Sequence, residues 1–281
     1  FFPLLSLHYL TMEESSTTPN RARNAGQPAG PRVCVVTGGS RGIGKSVCLT
    51  LAKQNVSICV NYTSESSKIL AEAVVADCLA AGSPSAIAFR ADVSQSEQVS
   101  CMFDSVISTL GMPTALVNNA AIIGEREGLL ETKIEVLQRI MEVNVYGPLL
   151  CTQEFVRRVC AATRENDEGV VEQGRGAIVN VSSGSAFIGQ PLAYAMTKGA
   201  LNSFSAGVVS ELASMGIRLN SVSPGLTKTE MVTDEMVDTL GFTGKGAEVA
   251  HALKDNLGPI CSAVMWNEVE HLGVDHSKDD H

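Results

Sequence analysis

Basic residues are scarce: 21 Lys and Arg stand against 30 Asp and Glu, for a formal net charge of −9. Binding nucleic acid through phosphates calls for a basic face, so a nucleic-acid partner is not expected. No apolar run reaches the ~20 residues that a membrane-spanning helix needs, so no membrane insertion is expected. The eight cysteines include no C-x-x-C pair, and the five histidines are scattered without ligand spacing. Neither a zinc site nor a thioredoxin-like motif is suggested, and no metal site is expected. Several cysteines lie in apolar runs, where Cys acts as a small hydrophobe, and this fits a reducing, cytoplasmic compartment. Repeats of solenoid type and internal linkers are also missing. What is present, 281 residues with 44% hydrophobic and 18% charged, suffices for one large water-soluble domain.

The ends differ from the middle. Residues 1–10 are apolar but lack the basic start of a signal peptide, and Met12 is a candidate initiator. Residues 12–32 are rich in Ser, Thr, Pro, Gly and Asn, so 1–31 is expected to be a disordered extension. The acids Glu13 and Glu14 argue against a transit peptide.

Between the ends, apolar β-rich runs alternate with helical patterns. Strands are predicted at 33–37, 56–61, 86–91, 115–118, 177–181 and 217–222. Helices are predicted at 42–54, 68–81, 97–110, 133–159 (interrupted near Gly147-Pro148) and 192–215. Continuous apolar strands separated by helices imply βαβ units and a parallel sheet covered on both faces. The predicted fold is α/β, a Rossmann-type doubly wound sheet in a single domain over 32–256, with an atypical tail at 257–281.

The run Thr37-Gly-Gly-Ser-Arg-Gly-Ile-Gly44 follows the first strand and opens a helix. Its glycines permit a tight turn and close approach of a pyrophosphate, and the helix start offers free N–H groups. Tyr194 and Lys198, four apart on a predicted helix, share a face. An adjacent ammonium is expected to lower the phenol pKa and make Tyr194 an acid/base group.

These motifs, in this order, resemble the short-chain dehydrogenase/reductase family, and 3-oxoacyl-[acyl-carrier-protein] reductases and glucose dehydrogenase-like members in particular. The phosphate turn, Asp92-Val93 after strand three, Asn118-Asn119-Ala120 after strand four, Asn144, Ser182-Ser183, Tyr194-x-x-x-Lys198, Pro224-Gly225 and Thr229 carry the likeness. The resemblance implies catalytic Asn144, Ser183, Tyr194 and Lys198. Ser183 would donate to the substrate carbonyl, with Ser182 as the alternative, and Asn144 would hold a water that relays protons to Lys198. Cofactor contacts are implied at Gly38, Ser40, Arg41, Gly42, Ile43, Gly44, Asn61, Thr63, Asp92, Val93, Asn119, Ala120, Tyr194, Lys198, Pro224, Gly225, Thr227 and Thr229. Strand two ends Asn61-Tyr62-Thr63 with no acid at that point, and Arg41 can pair with a 2′-phosphate. NADP(H) is therefore expected over NAD(H).

The implied reaction interconverts a carbonyl and a secondary alcohol of a small molecule, with a 3-oxoacyl thioester one candidate, in a homodimer or homotetramer. Two features depart from the family pattern. Ser183 and Tyr194 are only eleven positions apart, and after Met231 the usual terminal strand and its glycines are missing. The second departure leaves a further reading open, a catalytically impaired NADP(H)-binding relative.

Overall fold

The computed structural model describes residues 31–124, 128–162, 176–225 and 227. Six strands form one sheet: β1 (Arg32–Val36), β2 (Val56–Tyr62), β3 (Ala86–Arg90), β4 (Ala115–Asn118), β5 (Gly176–Val181) and β6 (Ile217–Val222). The order is β3-β2-β1-β4-β5-β6 and every pairing is parallel. This is the doubly wound arrangement expected from the apolar strand runs.

The helices are α1 (Gly42–Ala52), α2 (Lys68–Ala80), α3 (Ser96–Leu110), α4 (Ile134–Met141), α5 (Gly147–Ala161), α6 (Ser185–Ile188) and α7 (Leu192–Ser214). Alternation along β1 shows how they are held. Val33 and Val35 join one core with Met102 and Phe103 of α3 and Phe155 of α5. Cys34 and Val36 point the other way, into a core with Val47 and Leu51 of α1 and Val74 of α2. Successive side chains of a strand face opposite sides, so a sheet covered on both faces is apolar at most positions. Burial pushes the Cys59 and Cys151 thiols up to about 12, so they are packing groups rather than nucleophiles.

The long helical pattern at 133–159 breaks differently from expectation. The irregularity lies at Glu142–Tyr146, one wide π-type turn, and Gly147-Pro148 opens α5 instead of interrupting it. Proline is tolerated in the first turn of a helix, where the N–H it lacks is needed least. Two short elements went unpredicted, α6 and a helical turn at Glu65–Ser67. The extension at 1–30, Thr229 and everything from 228 onward, including the anticipated tail, lie outside the described residues. Among the described residues no helix is long and apolar enough to cross a membrane.

Candidate active site

The strand order reverses between β1 and β4, and in an open parallel sheet the crevice beyond the carboxyl ends of those strands is where a ligand lies. The sequence places its glycine-rich turn and its Asn118-Asn119-Ala120 segment there.

The turn after β1 is fixed by the chain beside it. Thr37 Oγ1 accepts N–H bonds from Asn119 (2.9 Å) and Ala120 (3.0 Å). Asn119 Nδ2 donates back to the carbonyls of Thr37 (2.9 Å) and Gly38 (3.1 Å). Gly38 has φ +62° and Gly42 φ +54°, values that favour glycine. A Cβ on Gly44 would strike the Gly38 carbonyl oxygen and lie 2.6 Å from Asn119 Nδ2. Helix α1 then starts at Gly42 with Arg41 at its cap, no side-chain cap and no acid in its first turn. Ser40 is buried beside it and Arg41 is exposed. Free N–H groups at a helix start, approached over glycine, suit a pyrophosphate. The residues present therefore fit a dinucleotide.

At the end of β2, Asn61 is fully buried, accepts from Gly38 N–H (3.1 Å) and donates to the Ala91 carbonyl (3.0 Å). Its side chain braces the glycine-rich turn. Thr63 is exposed just beyond. Glu65, an acid that the strand-end argument passed over, is paired with Arg90 at 3.0 Å. After β3, Val93 is buried, and the Asp92 carboxylate accepts from the Ser94 hydroxyl (2.7 Å) and N–H (2.9 Å) and meets Arg139 at 2.7 Å. Partial burial opposes its charge, yet these bonds prevail and hold the carboxyl below its ordinary value.

Tyr194 and Lys198 share the buried face of α7, with Lys198 Nζ 5.5 Å from the centre of the Tyr194 ring. Lys198 Nζ donates to the Val181 carbonyl at the end of β5 (2.7 Å). The Ser183 side chain lies near enough to the Tyr194 phenol to act on it and pull its pKa downward. Ser182 is buried and donates to the Lys198 carbonyl (3.4 Å), so of the two serines Ser183 is the one that reaches the phenol. The short spacing from Ser183 is taken up by α6, whose Ser185 N–H bonds to Ser183 Oγ (3.1 Å).

The expected depression of the Tyr194 pKa is not seen. Burial pushes the phenol up, and Ser183 only partly offsets it. Burial also brings the Lys198 ammonium down to about 8, which weakens the charge meant to stabilise a phenolate.

Asn144 sits in the π-type turn with none of its surface exposed. Its side chain accepts from Ile122 N–H (2.9 Å) and donates to the Ile122 carbonyl (2.8 Å) and Thr197 Oγ1 (3.0 Å). Both N–H groups of that amide are thus used, and its oxygen accepts one bond. Pro224 accepts from Gly184 N–H (2.9 Å), Gly225 is exposed, and Thr227 is buried with Oγ1 donating to the Gly225 carbonyl (3.2 Å). Sequence reasoning also missed a buried polar chain behind the site. Asn118 Nδ2 donates to Asn180 Oδ1 (2.8 Å), and Asn180 Nδ2 donates to Ser205 Oγ (2.9 Å). The unlikely position of Asn180 in an otherwise apolar strand was the available signal.

The family model described as short chain dehydrogenase matches residues 32–239. The chain belongs to the short-chain dehydrogenase family. It is an oxidoreductase, and its relatives agree. An uncharacterised oxidoreductase of Methylorubrum extorquens is 38% identical over 229 residues, spanning 81% of this chain and 84% of that one. A 3-oxoacyl-[acyl-carrier-protein] reductase of Synechocystis is 34% identical over 202 residues, 71% of this chain and 76% of the relative. The crystal structure of a short chain dehydrogenase from Burkholderia cenocepacia in complex with NADP superposes with TM-score 0.71 at 29% identity, covering 81% of this chain and 91% of that one.

Proposed function

We propose that this dehydrogenase is an NADP(H)-dependent reductase of a small-molecule carbonyl, with Tyr194 as the proton donor. One observation carries the reading: Tyr194, with Ser183 acting on its phenol, stands with its ring 5.5 Å from the Nζ of a buried Lys198 that is anchored at the carboxyl end of β5, the strand beside β4. A carbonyl oxygen placed between the two hydroxyls accepts a hydrogen bond from each. Negative charge grows on that oxygen during reduction, so both bonds strengthen in the transition state. When bound, the reduced nicotinamide supplies a hydride to the carbonyl carbon. Tyr194, kept protonated by its burial, gives its proton to the oxygen and so releases an alcohol. Lys198 donates to the Val181 carbonyl and has two further N–H bonds to offer a ribose. Asn144 locks Ile122 and Thr197 in place and holds the water that returns a proton toward Lys198.

Three features support NADP(H). Strand β2 ends without an acid, Glu65 is countered by Arg90, and Arg41 stands exposed at the start of α1. Glycine 38, Ser40 to Gly44, Asp92, Val93, Asn119, Ala120, Pro224, Gly225, Thr227 and Thr229 are the remaining proposed contacts, with Thr63 at the 2′ end. The similarity to a 3-oxoacyl-[acyl-carrier-protein] reductase makes a 3-oxoacyl thioester the first substrate to assay. Titration with NADPH and NADH, followed by reduced-nicotinamide fluorescence, tests the cofactor. NADPH is expected to bind more tightly, and Arg41→Ala to weaken NADPH about ten-fold while leaving NADH unchanged. Equal affinities in the wild type would overturn the preference, and binding of neither would overturn the enzyme reading.

A further inference from the structure

Asp92 and Asn144 stand on separate segments of the proposed site, and one exposed side chain ties those segments together. Arg139, on α4, directs Nη2 at Asp92 Oδ2 (2.7 Å) and Nη1 at both Ser94 Oγ (2.9 Å) and Glu142 Oε2 (3.0 Å). Glu142 is the first residue of the π-type turn, and Asn144 lies two residues further on. The same loop after β3 also lies against the chain just past that turn. Gly147, which follows it, lies so near that a Cβ there would sit 2.7 Å from Val93 Cγ2. The loop Asp92–Ser94 thus meets the chain at both ends of the π-type turn, through Arg139 to Glu142 and through Val93 at Gly147. From within the turn, the Asn144 side chain reaches Ile122 after β4 and Thr197 between Tyr194 and Lys198.

A single exposed ion pair contributes little, because water screens it and ordering two side chains costs entropy. A planar guanidinium that meets three partners on two segments fixes the relative placement of those segments, and a lysine cannot reproduce that fork. A wide turn inside a helix has weaker intrinsic definition than the helix around it, and such turns recur where function needs a re-aimed backbone.

We propose that Arg139 is a positioning residue that couples the Asp92 loop to the Asn144 turn, and through Asn144 and Thr197 to the Tyr194–Lys198 face of α7. Its effect on turnover rests on the reductase reading above, but its effect on the turn does not. Loosening the grip lets the loop and the turn drift apart, which displaces Asn144 from Ile122 and α7 from its alignment.

Arg139→Gln tests this in two ways. Hydrogen exchange of the Ile122 amide, which donates to Asn144 Oδ1, should quicken about ten-fold while that of Val35 in the central strand stays unchanged. In steady state, kcat should fall about ten-fold and KM for NADPH should rise. Asp92→Asn should do the same, and the double variant should be no worse than the poorer single one. Arg139→Lys should recover only part of the loss. The proposal is overturned if Arg139→Gln keeps Ile122 protected and leaves kcat and KM within about two-fold of wild type, or if the two substitutions act additively. Should Arg139→Gln fail to fold, Glu142→Gln and Asp92→Asn put the same question to the Ile122 amide. If the wild type binds no nicotinamide cofactor, the reductase reading falls, and the exchange measurement still decides the coupling.

Discussion

Ser182 and Ser183 are adjacent in sequence and opposite in surroundings. Just past the end of β5, Ser182 is buried against the Lys198 carbonyl, while Ser183 is half-buried beside Tyr194. A hydroxyl poised where charge develops contributes strongly to rate, so Ser183→Ala should lower kcat roughly 10²–10³-fold with little change in thermal stability. Ser182→Ala should do the converse, leaving kcat nearly intact at a cost of about 1 kcal/mol for one buried hydrogen bond. Steady-state kinetics and thermal denaturation of both variants check the pair, and equal kinetic losses would remove the distinction. The sequence left the two open because spacing along a chain does not report which way a strand faces once it has ended. Tyr194 and Lys198 were legible for the opposite reason: a four-residue interval on a helix fixes a shared face. What the interval could not show was the depth of burial, and burial is what reversed the expected direction of the Tyr194 pKa.

At the scale of elements, the strand-turn-helix unit β1–α1 was readable almost residue by residue, because glycines at a phosphate turn are demanded by backbone conformation and close approach. Gly44 is the sharpest case. A methyl group there would collide with the Gly38 carbonyl and crowd Asn119 Nδ2. Gly44→Ala should therefore destabilise the protein by about 1–3 kcal/mol and weaken NADPH binding in parallel. Chemical denaturation and a fluorescence titration of the one variant test both effects, and unchanged affinity would mean that the turn yields without loss. The helix at 133–159 was less legible. Its apolar periodicity persists through Glu142–Tyr146, so the pattern does not register the wider turn, and Gly147-Pro148 drew the break a few residues too far on. The turn exists through long-range partners, Ile122 and Thr197 for Asn144 and Asp92 and Ser94 for Arg139, and no local pattern encodes those. Asn180 is hidden in the same way. It reads as one polar residue in an apolar strand, and its purpose shows only once Asn118 and Ser205 are brought beside it.

The whole molecule sets its reactive lysine against its own stability. Lys198 lies between the sheet and α7 with only 2% of its surface exposed, and burial lowers its pKa from 10.5 to about 8. Below about pH 8 the group is charged in both folded and unfolded chains, and the folded state bears the full cost of holding an ammonium away from water. Between about 8 and 10.5 the unfolded chain binds the proton and the folded one does not, so stability climbs with pH through that window. The whole effect is worth about 3 kcal/mol. Lys198→Met removes the cationic group at similar length. It should be inactive, because the proposed ribose contact and the charge beside Tyr194 are lost. Its stability relative to wild type should be most favourable near pH 7 and decline steadily toward pH 10.5. The bond to the Val181 carbonyl, lost at every pH, shifts that whole comparison downward without altering its slope. Urea midpoints of the two proteins from pH 6.5 to 10.5 measure the slope directly. Parallel curves would mean that the ammonium is not strained by its position, and the stabilisation of charge at this site would then have to come from somewhere other than a buried, readily neutralised lysine.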